Sequence, residues 1–91
     1  MLLPQVNSDK EESDLVAEAT MAILTELATS TTRYGTFKST HEGAGVLMEE
    51  VDEMWDAIKA NDIASARKEA IQVAAMAMRF VIDASREDKR A

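Results

Sequence analysis

The sequence predicts an all-α fold of three main helices. Apolar residues recur at intervals of three and four through three successive stretches. No segment alternates at the period of two that a half-buried strand requires, and the only proline, Pro4, precedes all three stretches. The link between the second and third stretches is so short that the last two helices must form an antiparallel hairpin.

Each element has its own signals. Residues 1–7 read as an arm, and Ser8 followed three positions later by Glu11 has the form of a capping box opening the first helix. That helix is expected over residues 9–28 or 9–32. It should weaken at Thr29-Ser30-Thr31-Thr32, whose hydroxylated and β-branched side chains are poor helix formers, and stop by Gly35. Ser39 with Glu42 is a second capping box, opening a helix over about 40–60 despite Gly43 and Gly45. Those glycines weaken its start, so they point to close backbone approach by another element. Asn61-Asp62 supplies a turn and an N-cap, and a third helix is expected over about 63–84. The chain thus divides into an arm (1–7), one helical domain (8–85) and a charged tail (86–91).

Helix three is apolar around much of its girth. Ala70, Ala74, Ala77 and Val81 form one row, Ile71, Ala75, Met78 and Ile82 a second, and Val73, Met76 and Phe80 a third. Lys68, Gln72, Arg79 and Asp83 alone supply a polar edge. Two companion helices cannot enclose such a helix, so the expected architecture is a four-helix-type bundle completed by oligomerisation, as a homodimer or homotetramer.

Composition narrows the function. The 91 residues contain 10 Lys and Arg against 17 Asp and Glu, and no cysteine. Disulfides, thiolate zinc sites, iron–sulfur clusters and thiol nucleophiles are therefore excluded, and a net charge of -7 argues against nucleic-acid polymers as partners. No stretch approaches the roughly 18 apolar residues of a membrane span, and the first residues lack the features of a signal peptide. A cytoplasmic protein is expected. Residues 42–62 hold seven acids and a single base, Lys59, so nearly all the excess negative charge lies on one segment.

Helix two carries the candidate chemistry. Leu47, Val51, Met54 and Ile58 form a core stripe, with Trp55 at its edge as a packing residue. Beside it runs a row of Val46, Glu50, Glu53 and Ala57, in which two carboxylates are bracketed by apolar residues. Glu69 projects likewise from the helix-three row of Val73, Met76 and Phe80. Carboxylates on apolar faces need a partner, and no base is comparably placed, so a divalent cation is the economical solution. Three converging carboxylates with one His and no Cys favour Mg2+, or Mn2+, over zinc. The alternative is that the acids are solvated or pair with bases from helix one or a second subunit. His41 reads as a cap or surface residue, and the six methionines as fillers of core gaps. Arg33, Lys38, Lys59, Lys68 and Arg79 are solvated by default, although a phosphate site would draw on one or two; Lys68 and Arg79 are the candidates.

The run Glu49-Glu50-Val51-Asp52-Glu53, then fifteen residues, then Glu69-Ala70-Ile71-Gln72, resembles the EExxE…ExxD signature of the MazG-type all-α nucleoside triphosphate pyrophosphohydrolases. The likeness covers about residues 43–83. It implies Mg2+ ligation by Glu50, Glu53 and Glu69, with Gln72 in the fourth ligand position and Glu49 an outer member. It also implies an NTP or dNTP substrate, cleaved by water at the α-phosphorus to a nucleoside monophosphate and pyrophosphate, with Glu49 or Glu53 as the base. Gln72 departs from the signature, which has Asp there, and so weakens the expected metal affinity. A non-catalytic helical dimerisation or adaptor module that has kept the fold is the second expectation.

Overall fold

In the computed structural model, residues 9–90 are described and form α1 (Asp9–Tyr34), α2 (Thr40–Lys59) and α3 (Ile63–Arg90), with no strand among them. The arm, Ser8 of the first capping box, and Ala91 lie outside the described residues. The all-α expectation therefore holds for what is described.

α1 continues through the hydroxylated run where the sequence reading weakened it. The hydroxyls turn back onto their own helix: Thr29 Oγ1 donates to the Thr25 carbonyl at 3.0 Å, Ser30 Oγ to that of Leu27 at 3.2 Å, and Thr32 Oγ1 to that of Ala28 at 3.0 Å. Side chains satisfied in this way no longer compete for the helix's backbone donors. The helix stops at Gly35, which takes φ +74° while its N–H donates to the Thr31 carbonyl at 2.9 Å.

Ser39 caps α2 as its spacing requires. Its Oγ accepts from the Glu42 N–H at 3.1 Å, and Glu42 Oε1 accepts in return from the Lys38 N–H at 3.2 Å, one residue before the cap itself. At the far end Asn61 sits in the left-handed region at φ 57°. Its N–H donates to the Ile58 carbonyl, and the Asp62 N–H to that of Ala57, each at 3.0 Å. This paired closure reverses the chain at once into α3. Asp62 then caps α3: its carboxylate accepts from the Ser65 N–H at 3.0 Å and from Ser65 Oγ at 2.7 Å. Those bonds to the ionised form hold Asp62 below the usual carboxylate range.

The third helix is longer than expected. Residues 86–89, read as a tail, are exposed but helical, and Arg86 Nη1 donates to Asp83 Oδ1 at 3.2 Å within that stretch.

α3 packs against both other helices, whereas no Cα atom of α1 comes within 8 Å of one of α2 among the described residues. The face of α2 turned to α3 carries Gly43, Val46, Leu47, Glu50, Met54 and Ala57, all buried or half-buried. The expected core stripe is thus only half covered, since Val51 and Ile58 are exposed. Trp55, expected to pack, is also exposed and has Lys59 Nζ 5.9 Å from its ring. Among the described residues the buried apolar core is only Ala75 and Met76, and no large side chain is fully enclosed.

Gly43 makes α2's close approach possible. A Cβ there would lie 2.7 Å from a ring carbon of Phe80 and 3.0 Å from one of Phe37, whereas at Gly45 it would meet open space. Gly45→Ala is therefore expected to stabilise the protein by about 1 kcal/mol through helix propensity, while Gly43→Ala lowers Tm by forcing two rings aside; denaturant melts check the opposite signs. The lowered Asp62 pKa also sets a pH dependence. Its contribution is complete above the ordinary value of 3.8 and is lost as pH falls through the lower folded value. Asp62→Ala should thus lower Tm at pH 7, and the difference from wild type should close under acid, as melts across pH 2–7 would record.

Candidate functional site

The hairpin of α2 and α3 brings the three acids of the sequence reading together. Glu50 and Glu53 project from adjacent turns of α2 and Glu69 from the second turn of α3, and one carboxylate oxygen from each lies within 4.8 Å of the others. Glu50 and Glu69 are half-buried and Glu53 is exposed. Burial pushes the Glu50 carboxyl above its ordinary range, and the neighbouring charges of Glu53, Glu69, Glu26 and Glu49 push it further the same way. None of the three is in an ion pair among the described residues; Lys59 pairs with Asp56 and Arg86 with Asp83. Carboxylate oxygens alone, without imidazole or thiolate, make a donor set that fits a hard divalent cation such as Mg2+.

Gln72 stands where the signature has an acid, and it faces Glu50 and Glu69. With its amide nitrogen assigned to the side facing them, Gln72 donates to Glu50 Oε2 at 2.8 Å and to Glu69 Oε2 at 3.1 Å. That orientation relieves carboxylate repulsion, and the opposite one presents the amide oxygen as a metal ligand.

A cavity of about 600 Å³ adjoins this cluster, bounded by residues of all three helices and the α1–α2 connector. Glu50 and Gln72 are shared between cluster and cavity, while Glu53 and Glu69 do not line it. Glu49 is exposed and forms part of the wall. The sequence reading missed Glu26, which lines the cavity from α1 and contributes to the field at Glu50. A signal for it existed. Glu26 shares a half-buried face of α1 with Ile23, Leu27 and buried Ser30, the same setting that singled out Glu50 on α2.

The basic residues separate sharply. Lys68 is exposed and lies off the cavity wall. Arg79, solvated by default in the sequence reading, is only 4% exposed and lines the cavity. It is buried because α3 turns Gln72, Arg79 and Asp83 inward, leaving Val81 62% exposed on the apolar side. The guanidinium carbon of Arg79 lies 4.3 Å from the centre of the Phe37 ring. Phe37 is fixed in turn by its own N–H, which donates to Asp83 Oδ2 at 2.9 Å. Arg33 and Lys38 also line the cavity. His41, in the first turn of α2, is exposed and outside the acidic cluster. No helix among the described residues is long and apolar enough to cross a membrane.

The chain matches no protein family, no curated protein and no solved structure.

Gln72 provides a direct test of the cluster. Gln72→Leu should lower stability by about 1 kcal/mol, because two facing carboxylates lose their common donor. Gln72→Glu should lower Tm in EDTA but enlarge the rise in Tm on adding Mg2+. Paired melts in EDTA and Mg2+ separate the two effects.

Proposed function

We propose that this chain is a Mg2+-dependent nucleoside triphosphate pyrophosphohydrolase, or a nucleotide-binding relative of such enzymes, working as a cytoplasmic homo-oligomer. The observation that carries the reading is the convergence of Glu50, Glu53 and Glu69 without a cationic partner. The likeness of their spacing to the MazG-type signature supports it, as does a cavity beside them of a size suited to a nucleotide. Glu50, Glu53 and Glu69 would hold the cation, with Gln72 joining them through its amide oxygen. A bound Mg2+ supplies charge to neutralise phosphate oxygens and lowers the pKa of a coordinated water. Glu49, on the cavity wall and exposed, and Glu53, exposed in the cluster, are the carboxylates available to accept that water's proton. Self-association would cover apolar side chains that one chain leaves in water, among them Met48, Trp55 and Ile58 of α2 and Val81 of α3.

A second reading, a non-catalytic helical adaptor, is favoured by Gln72, whose amide nitrogen can donate to two of the carboxylates when it is assigned to their side. The variant Glu50→Gln distinguishes the readings. In both, removing a desolvated and repelled charge should raise the metal-free Tm. As an enzyme, the wild type should release monophosphate and pyrophosphate from at least one NTP or dNTP in Mg2+, and Glu50→Gln should abolish that turnover together with the Mg2+-dependent rise in Tm. A full nucleotide panel without turnover, and a Tm indifferent to Mg2+, would leave the adaptor.

A further inference from the structure

We propose that Arg79 is an oxyanion subsite that takes a phosphate group of the ligand directly, without a metal ion between them. The inference deepens the nucleotide reading by assigning a phosphate contact to a named side chain, but it rests on separate observations. Arginine keeps its charge at any accessible pH, so a residue 4% exposed is a permanently charged group taken out of water. Such a group ordinarily has a carboxylate beside it. Arg79 forms no ion pair among the described residues, and its Nη2 is buried without any hydrogen-bond partner. The Phe37 ring covers one face of the guanidinium, which holds its plane but accepts no hydrogen bond from its edge.

An orphaned buried donor requires an explanation, and the side chain that carries it, Arg79, is one of the residues lining the cavity. Lys38 and Arg33 line the same cavity, so the missing partner faces more than one cation. Several donors around a tetrahedral anion favour phosphate over a single carboxylate, and the guanidinium fork suits its paired oxygens. The wall also carries four acids, Glu26, Glu42, Glu49 and Glu50, and Glu42 already accepts a bond from the Lys38 N–H. An anion is therefore drawn only to the wall's cations, of which Arg79 is buried with an unpartnered nitrogen. The connector that carries Lys38 is tied to α3 by the bond from the Phe37 N–H to Asp83, so the two cations are linked through one fixed segment.

The test is binding in EDTA, with inorganic pyrophosphate, a panel of nucleoside monophosphates and the matching nucleosides as probes. Pyrophosphate and at least one monophosphate should bind and raise Tm, while nucleosides should not. Arg79→Gln should weaken binding at least tenfold without lowering the ligand-free Tm, because it removes an unpaired buried charge. Lys38→Ala, at an exposed position, should weaken binding several-fold and provides a second variant. In the wild type, the side-chain resonances of Arg79 should shift on titration with pyrophosphate, a readout that needs no variant. Absence of pyrophosphate binding in EDTA, binding unchanged in Arg79→Gln, or Arg79 resonances indifferent to the titration would each overturn the subsite. The two proposals fail separately. A protein that hydrolyses NTP in Mg2+ yet ignores pyrophosphate in EDTA refutes only the subsite, and the reverse result refutes only the enzyme.

Discussion

Close backbone approach between the described helices is made through α3, and the edge of α3 bearing Gln72, Met76, Arg79 and Asp83 is turned inward to make it. Three of those four side chains are polar, so each buried group needs a partner or costs stability. Gln72 finds two carboxylates, Asp83 finds the Phe37 N–H and Arg86, and Arg79 finds an aromatic face. The positions of α2 and the connector follow from those pairings. α2 approaches closely because Gly43 offers no side chain to the Phe37 and Phe80 rings, and the connector is held by a backbone donor on an acid.

This arrangement gives the cavity walls of both charge signs within one small chain. Carboxylates come from α1 and α2, cations from α3, the connector and the end of α1. Such a mixed lining suits a ligand that brings its own negative groups together with a divalent cation, because each sign then meets its complement. It suits an apolar ligand poorly. The same inward turn leaves apolar surface facing water, so the proposed chemistry and the proposed self-association have a common structural origin.

The short-range features were legible in the sequence because they depend on local hydrogen bonds. Ser39 with Glu42, Gly35 and Asp62 each mark a helix boundary by satisfying a backbone group or permitting a special φ, and spacing alone reveals them. The convergence of Glu50, Glu53 and Glu69 followed from helical periodicity in the same way. The persistence of α1 through its hydroxylated run and of α3 past residue 84 was not legible. Composition records that Thr and Ser are poor helix formers and that charged runs are soluble, but not that hydroxyls will bond back to their own helix or that Asp83 will pair with Arg86. The burial of Arg79 and the exposure of Trp55 were missed for a deeper reason. Amphipathic logic assigns apolar rows inward, and a chain whose apolar surface exceeds what its own helices cover breaks that assumption.

One consequence follows from α3 being a single unbroken helix. Glu69 and Arg79 stand ten positions apart on it, so their backbones are held about 15 Å apart along the axis by helical rise alone. Displacing α1 or α2 would reshape the surrounding walls without altering that interval. In the proposed nucleotide reading the helix would act as a ruler, setting by its pitch the interval between the cation site and the phosphate subsite.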